Sequence, residues 1–218
     1  MGGDRSKQYL TLGDRPILAH TLALFDTHPS IDHLWLVVPE KDRQQCHEEM
    51  VVRHGFSKVR GIIAGGAERQ ESVGNGLRAC GAAADDIVLV HDGVRPFFDP
   101  QLIPTLLEKT RRDGACIVAA PLKETVKEVE NGTIVATPER QRLWLAQTPQ
   151  AFRADLLHRA YALAQDECTL GTDDASLVER LPHPVTILQG DYRNIKITTI
   201  EDLILARAYL TPPPEDTL

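Results

Sequence analysis

Four short polar clusters in this sequence carry the residue types that could do chemistry. They are SKQY (residues 6–9), GGAERQES (65–72), HDGVRP (91–96) and NIKIT (194–198). They supply three cations, Lys7, Arg95 and Lys196, together with the carboxylate of Asp92. This combination suits phosphoryl or nucleotidyl transfer, because that chemistry rests mostly on positioning and charge neutralisation. Taken together, the clusters predict a substrate with several negative charges.

The HDGVRP cluster follows the apolar run IVLV (87–90), which is typical of a strand buried on both faces of a sheet. In open α/β sheets the functional groups lie just beyond the carboxyl ends of such strands. There, Asp92 would be a metal or polyol ligand, Gly93 would let the backbone approach a ligand, and Arg95 would bind a phosphate. The alternative is an ordinary turn with an Asp–Arg pair at the surface.

The remaining clusters are weaker signals when each is taken alone. The Gly65-Gly66 pair at an expected helix N-terminus offers backbone N–H groups to an anion or a carbonyl. Taken alone, the same pair more often marks a plain tight turn. Lys7 lies in a loop, where a lysine is usually solvated, and Lys196 lies between two apolar residues, as a lysine at a sheet edge often does. Only the combination of clusters favours a shared site.

Alternating strands and helices must position these clusters. The sequence predicts strands at residues 33–38, 59–64, 87–91, 115–120 and 185–189. It predicts helices at residues 16–25, 41–54, 68–80, 100–112, 153–165, 173–180 and 200–210. Thr172 and Thr199 are the expected N-caps of the last two helices. This alternation predicts one α/β domain over residues 1–218, with a mainly parallel sheet between two layers of helices.

The segment 122–148 interrupts this alternation. The dipeptide Asn131-Gly132 is a strong signal for a two-residue hairpin turn, and it lies between residues 125–129 and 133–137. A further strand is predicted at residues 143–147. An arm too thin to bury its own faces usually packs on a partner subunit. We therefore expect residues 122–148 to form a projecting β-arm that mediates a homodimer.

Composition and motif content exclude several functional classes. The 218 residues carry a net charge of −7, which argues against general nucleic-acid binding. No window approaches the ~18 apolar residues of a membrane span, and the N-terminus has no apolar signal core, so we expect a cytoplasmic protein without membrane association. The four cysteines lack metal-site spacing, as expected of free thiols in a reducing compartment. The chain also lacks a P-loop and a GxSxG elbow.

A series of motifs in fixed order resembles the 2-C-methyl-D-erythritol 4-phosphate cytidylyltransferases of isoprenoid biosynthesis. The matching motifs are KQYL (7–10), PILAHTL (16–22), GGAERQESVGNGL (65–77), VHDGVRP (90–96), APLKETVK (120–127), TPER…LWLAQTPQAF (137–152), TDDAS (172–176) and NIKITTIEDL (194–203). They cover essentially the whole chain, and their fixed order is far more specific than any one of them.

The resemblance implies a Rossmann-like, three-layer nucleotidyltransferase fold of the nucleotide-diphospho-sugar transferase type. It implies that CTP and methylerythritol 4-phosphate react, with Mg²⁺, to give CDP-methylerythritol and pyrophosphate. In that reaction the phosphate oxygen of the polyol phosphate attacks the α-phosphorus of CTP in line, and pyrophosphate leaves.

The same resemblance assigns roles to individual residues. Lys7 and Lys196 would be catalytic, because they would stabilise the charge that builds on the α-phosphate. Asp92 and Arg95 would bind the substrate, and Asp92 would lie close to its polyol or to the metal. The nucleotide pocket would be lined by Gly66, Ala67, Ser72 and Gly93.

The resemblance also gives the arm a role in the neighbouring subunit. Thr125 and Arg140 would reach into that subunit's site and bind the methylerythritol phosphate, which makes the dimer necessary for activity. Their sequence contexts, KETVK and TPQ, favour methylerythritol phosphate over the nearest alternative substrate, ribitol 5-phosphate.

The beginning of the chain departs from the family pattern. Family members open with a buried strand and a glycine-rich GxGxRM loop, and Met1 stands where the last residue of that loop would be. Ser6 also replaces the usual Pro before Lys7. We favour a misassigned start, with a native protein ~20 residues longer, a length set by one strand and a loop, over a truncated chain. We expect little or no cytidylyltransferase activity from this form, and an inactive nucleotide-binding or scaffold protein is the alternative function.

Overall fold

A computed structural model describes residues 7–211 as a layered α/β fold. Its helices are α1 (Ile17–Asp26), α2 (Arg43–Cys46), α3 (Arg69–Cys80), α4 (Ile103–Asp113), α5 (Ala154–Asp166), α6 (Asp174–Val178) and α7 (Ile200–Leu210). Its strands are β1 (Thr11–Leu12), β2 (Arg15–Pro16), β3 (Leu34–Val38), β4 (Val59–Ala64), β5 (Ile87–Val90), β6 (Ala115–Pro121), β7 (Glu128–Glu130), β8 (Thr133–Ala136), β9 (Trp144–Arg153) and β10 (Thr186–Gln189). The predicted alternation of strands and helices is therefore confirmed.

The largest sheet has the strand order β10-β6-β9-β5, and β3 and β4 form a separate parallel pair. Strands β10 and β6 are parallel, but β9 runs antiparallel to both β6 and β5. Strands β5, β6 and β10 therefore share one direction, and β9 adds one antiparallel strand to an otherwise parallel arrangement. The chain leaves the sheet at Pro121 and returns at Trp144, directly opposite, so the returning strand must run in the reverse direction.

Helices cover both faces of this sheet. Strand β6 is buried along Ala115–Ala120, and its side chains alternate between two hydrophobic cores. On one face, Ile117 packs in a cluster with Leu157 and neighbouring residues of α5. On the other face, Val118 packs with Leu106 and neighbouring residues of α4. This helix–sheet–helix arrangement confirms the predicted three layers.

The predicted arm is present but shorter than expected. Strands β7 and β8 pair antiparallel around Asn131 and Gly132, whose φ angles of 48° and 79° suit the predicted two-residue turn. Strand β9 already begins at Trp144, and Thr148 is buried in the sheet. The arm therefore ends near residue 143 rather than 148, because the chain rejoins the ladder with β6 five residues before the predicted boundary.

Of the two N-caps predicted from the sequence, the structure confirms one. Thr199 caps α7 in a capping box with Asp202, as predicted. Helix α6 is capped by Asp173 rather than by Thr172, since the Asp173 carboxylate accepts the Ser176 N–H at 2.9 Å. The serine three residues after Asp173 completes a reciprocal capping box, which Thr172 could not form. Among residues 7–211, no helix is long and apolar enough to cross a membrane.

The α5 core predicts a large difference between two leucines. Leu157 is fully buried, whereas Leu170 is 69% exposed. We expect Leu157→Ala to lower the free energy of unfolding by about 2–5 kcal/mol, because it removes buried methyl groups and leaves a cavity. Leu170→Ala, the matched control, should change it by less than about 0.5 kcal/mol. Urea unfolding measures both, and equal losses would contradict the packing described here.

Candidate active site

A polar cavity of about 240 Å³ lies at the carboxyl end of β5. It is lined by the starts of α3 and α6, the middle of β9 and the segment before α7, through Arg69, Asp92, Arg95, Ala146, Gln147, Thr148, Gln150, Thr172, Asp173 and Lys196. A larger cleft of about 630 Å³ lies against β4. The smaller cavity is the better candidate, because three cations converge there on one carboxylate.

Asp92 is the centre of this cavity. Arg69 Nε lies 3.4 Å from Asp92 Oδ1, while Arg95 Nε at 3.4 Å and Lys196 Nζ at 3.1 Å both face Oδ2. The side chains of Asp92 and Arg95 are only 13% and 12% exposed. The predicted convergence of Asp92, Arg95 and Lys196 is therefore present, and Arg69 joins it.

The surrounding cations decide the ionisation of Asp92. Burial acts to raise the pKa of its carboxyl, but Lys196, Arg69 and Arg95 outweigh burial and hold that pKa below its ordinary value. Asp92 is therefore a carboxylate at neutral pH. The cavity lining combines Arg69, Arg95 and Lys196 with Asp92 and Asp173, and Arg69 is also paired with Asp174 behind the lining. Among the three cations, the half-exposed Lys196 is the one most accessible to an anionic group.

The cavity does not fit a metal ion held by the protein. Within residues 7–211 there is no group of three or more His, Cys, Asp or Glu side chains that could ligate a metal. Both oxygens of Asp92 already face cations, and a dication placed beside them would meet three positive charges. The prediction of Asp92 as a metal ligand is therefore not retained.

A chain of hydrogen bonds fixes the turn that carries Asp92. The Asp92 N–H donates to Thr148 Oγ1 at 3.0 Å, and Thr148 Oγ1 lies 3.1 Å from His91 Nδ1. His91 Nε2 lies 3.1 Å from the Arg95 carbonyl oxygen. Each group is satisfied when neutral His91 donates from Nε2 and accepts at Nδ1 from the Thr148 hydroxyl. Burial favours that neutral form and lowers the pKa of His91 to about 4.

A second set of hydrogen bonds holds the segment that carries Lys196. Arg95 Nη1 donates to the carbonyl oxygen of Asn194 at 2.7 Å. The buried Asn194 amide donates to Gln147 Oε1 at 3.1 Å and to the Thr148 carbonyl oxygen at 2.9 Å. Lys196 is therefore tied to β9 and to the β5 turn, although its own side chain is 42% exposed. This arrangement leaves its ammonium group accessible to a ligand.

The expected nucleotide-binding turn is closed by its own chain. The Gly66 N–H donates to Ser72 Oγ at 3.0 Å, and the Ala67 N–H donates to Glu71 Oε2 at 2.7 Å. A Cβ added at Gly66 would lie 2.3 Å from the Glu71 Cβ, so this close approach requires glycine. The Ala67 N–H becomes available to a ligand when the exposed Glu71 side chain moves away, whereas the Gly66 N–H becomes available when the Ser72 hydroxyl turns away.

The remaining predicted site residues lie outside the cavity lining. Gly93 follows Asp92 directly, and its carbonyl oxygen accepts the Thr21 hydroxyl at 3.1 Å. Lys7 is exposed at the start of a 3-10 turn. Thr125 and Arg140 are exposed on the arm, where Arg140 Nη1 donates to the Lys123 carbonyl oxygen at 2.7 Å. None of these four residues lines the cavity that contains Lys196.

Sequence reasoning missed the residues that hold Asp92 in place. Arg69 Nη2 lies 2.7 Å from Asp174 Oδ2, and Tyr161 donates its hydroxyl hydrogen to Asp174 Oδ1 at 2.6 Å. The sequence contains one signal for them, since two adjacent carboxylates, Asp173 and Asp174, open a short helix whose apolar residues are buried. One carboxylate suffices as a cap, so the second needed another partner.

Comparisons with known proteins agree along the whole chain. The family described as 2-C-methyl-D-erythritol 4-phosphate cytidylyltransferase (IspD) matches residues 1–212. A relative of that name from Syntrophotalea carbinolica is 54% identical over 98% of this chain and 91% of its own length. Another from Geotalea uraniireducens is 52% identical over 96% and 91%. The crystal structure of a 4-diphosphocytidyl-2C-methyl-D-erythritol synthase from Anaerococcus prevotii is 33% identical, with a TM-score of 0.85 over 94% of this chain and 90% of that one.

The neutral state of His91 predicts a pH dependence of stability. Its pKa is about 4 in the folded protein and near 6.5 in the unfolded chain. Between these values the unfolded chain binds a proton that the folded protein excludes, so the free energy of unfolding falls as the pH falls, by on the order of 3 kcal/mol.

The comparison of two variants isolates this effect. His91→Gln should give a shallower loss of stability between pH 6.5 and 4 than the wild type. Burial also lowers the pKa of His28, so His28→Gln serves as the control for a more exposed histidine. Urea unfolding across this range measures all three proteins, and an unchanged slope in His91→Gln would contradict a neutral His91.

Proposed function

This chain belongs to the 2-C-methyl-D-erythritol 4-phosphate cytidylyltransferase family, and we propose that it transfers a cytidylyl group from CTP to 2-C-methyl-D-erythritol 4-phosphate. The products are CDP-methylerythritol and pyrophosphate, in the non-mevalonate route to isoprenoids. The convergence of Arg69, Arg95 and Lys196 on Asp92 carries the proposal, because it places an accessible ammonium group for phosphate beside a carboxylate for hydroxyl groups.

In the proposed reaction, a phosphate oxygen of the polyol phosphate forms a bond to the α-phosphorus of CTP. The bond from that phosphorus to the bridging oxygen of the pyrophosphate breaks, and the pyrophosphate takes the electron pair. The charge that develops on the α-phosphate oxygens is stabilised by hydrogen-bond donors that are already in position before the reaction. Lys196 is such a donor, since its accessible ammonium group lies at the cavity wall. Lys7 is proposed as a second cation in the same role.

The two substrates are proposed to occupy different walls of the site. Arg95 binds the phosphate of the polyol, and the Asp92 carboxylate accepts hydrogen bonds from its hydroxyl groups. The long 3.4 Å contacts of Asp92 to Arg69 and Arg95 leave acceptor capacity on both oxygens. The backbone of Gly93 also lies beside the nucleotide in this proposal.

The cytidine is proposed to bind at the turn that precedes α3. The N–H groups of Gly66 and Ala67 donate to Ser72 and Glu71, and they are suited to donate to the carbonyl oxygen and the ring nitrogen N3 of the base once these two side chains turn away. Mg²⁺ is proposed to arrive bound to the triphosphate of CTP. This assignment suits Mg²⁺, which commonly coordinates substrate phosphates and water with few protein ligands.

The arm is proposed to form a homodimer interface. Its residues are exposed from 123 to 137, and Val126, Val129, Ile134 and Val135 are 38%, 54%, 60% and 50% exposed. Several exposed apolar residues on a thin hairpin are typical of a docking surface. In a dimer, Thr125 and Arg140 are proposed to bind the polyol phosphate of the partner subunit. A cytoplasmic location is also proposed, and the four free cysteines support a reducing compartment.

The substrate assignment predicts selective turnover. Pyrophosphate release should depend on both CTP and 2-C-methyl-D-erythritol 4-phosphate, and kcat/KM should be at least about 10-fold higher than with ribitol 5-phosphate, because each misplaced hydroxyl leaves a buried polar group unpaired. Lys196→Met should lower kcat about 100-fold or more, because it removes one donor to the transition state.

Lys109→Met is the matched control for this assay. Its ammonium group donates to the Ile187 carbonyl oxygen on an exposed surface outside the cavity lining, so activity should be unchanged. A higher kcat/KM with ribitol 5-phosphate would identify that polyol phosphate as the acceptor substrate instead. Binding of CTP without turnover, both by this form and by one extended with the N-terminal strand and loop of the family, would overturn the enzymatic function itself.

The arm predicts a change in oligomeric state. Ile134→Asp places a charge on the apolar surface of the hairpin and should convert a dimer into a monomer, because burying an unpaired carboxylate is costly. Val52→Asp is the control, since Val52 is equally exposed, at 61%, but lies outside the arm. Light scattering after size-exclusion chromatography measures the masses. A monomeric wild type, or a dimeric Ile134→Asp variant, would contradict the arm interface.

A further inference from the structure

We propose that Arg69 is a positioning residue of the transfer reaction. By bridging Asp92 to Asp174, it takes up part of the negative charge of Asp92 and so keeps the Lys196 ammonium group available to phosphate. This inference rests on the proposed function for its kinetic consequence, but its geometric basis is independent of the substrate.

Arg69 joins two carboxylates that come from distant parts of the chain. Its Nη2 lies 2.7 Å from Asp174 Oδ2, and its Nε lies 3.4 Å from Asp92 Oδ1. Asp174 is the first residue of α6, and Asp92 follows β5. The planar guanidinium group contacts both carboxylates at once through different nitrogens, which the single ammonium group of a lysine cannot reproduce.

Asp174 is the fixed end of this bridge. Its side chain is only 1% exposed, and an unpaired buried carboxylate would be strongly destabilising. Its two oxygens are satisfied by Arg69 and by the hydroxyl of Tyr161, at 2.7 and 2.6 Å. Since these contacts are short and buried, they set the position of the guanidinium group. The longer contact to Asp92 is therefore the adjustable end.

A neighbouring contact stiffens the same junction. The side-chain amide of Gln70 donates to the Thr169 carbonyl oxygen at 3.0 Å and accepts the Gly171 N–H at 2.8 Å. The first two residues of α3 thus hold the segment 169–174, which includes the cavity wall at Thr172 and Asp173. Arg69 itself cannot shift without disturbing that wall.

The position of Arg69 matters for Lys196 because both side chains contact the carboxylate of Asp92. Lys196 and Arg95 share Asp92 Oδ2, whereas Arg69 alone faces Oδ1. If Arg69 is lost, the carboxylate has two cationic partners instead of three, and its attraction for Lys196 increases. An ammonium group held more tightly by Asp92 stabilises a developing phosphate charge less well. The predicted effect is therefore on kcat rather than on substrate binding.

Arg69→Lys tests this role while keeping the formal charge. We expect kcat to fall about 10- to 100-fold, the scale expected when a catalytic group is misplaced, with the KM for CTP changed less than about 2-fold. Arg69→Lys and Asp92→Asn should be strongly non-additive in kcat, because Arg69 acts through Asp92. Arg78→Lys is the control, since Arg78 lies on the same helix and donates to Asn75 at 2.5 Å on an exposed face.

A second measurement does not depend on turnover. Competitive acetylation followed by mass spectrometry gives the reaction rate of the Lys196 amine relative to that of the exposed Lys109. Arg69→Lys should slow the labelling of Lys196 several-fold and leave Lys109 unchanged, whereas Arg78→Lys should change neither. Urea unfolding of each variant separates these effects from loss of the fold.

The outcomes separate this inference from the proposed function. A wild type without turnover on either polyol phosphate, but with the expected labelling pattern, would overturn the substrate assignment and support the role of Arg69. Unchanged labelling of Lys196, or additive effects of the two substitutions on kcat, would overturn the role of Arg69 whatever the substrate.

Discussion

The cavity depends on one constraint: a carboxylate with little exposure must be compensated by cations that come from three different segments. Asp92 draws Arg69 from the start of α3, Arg95 from its own turn and Lys196 from the segment before α7. None of these contacts would be worth much at a fully exposed surface. At 13% exposure of Asp92 they bring three segments together, and the result is a cavity that holds cations beside an acceptor for hydroxyl groups.

The hydrogen bonds around His91 and Asn194 explain how this constraint is met without strain. Strand β9 supplies Thr148 to the β5 turn and Gln147 to the segment that carries Lys196. Each is a buried polar contact, and a lost partner would leave a desolvated group unpaired. The antiparallel strand that interrupts the parallel pattern is thus the element that connects the two sides of the cavity.

Much of this arrangement follows from the sequence, and the missing part has a common physical cause. Local patterns predicted the strand before Asp92 and the cap at Thr199, and the matching motifs identified the family. The partners of Asp92 beyond its own turn depend on tertiary contacts, and Asp174 lies 105 residues from Arg69. From the local sequence alone, Asp174 is only one more acidic residue at the start of a helix. The direction of β9 was missed because both of its partner strands precede the arm in the sequence, and only the tertiary pairing of Trp144 with Pro121 shows that the chain reverses.

Strand β9 also limits how this protein can vary in length. Four residues of β9 line the cavity, Ala146, Gln147, Thr148 and Gln150. One residue inserted between Trp144 and Thr148 would change the register between β9 and β6 and so displace these side chains. The Asn131-Gly132 turn, whose tip is solvent-exposed, imposes no such register on the cavity. Insertions and deletions should therefore accumulate at the hairpin tip, whereas the stretch from Trp144 onward should keep a constant length among related chains.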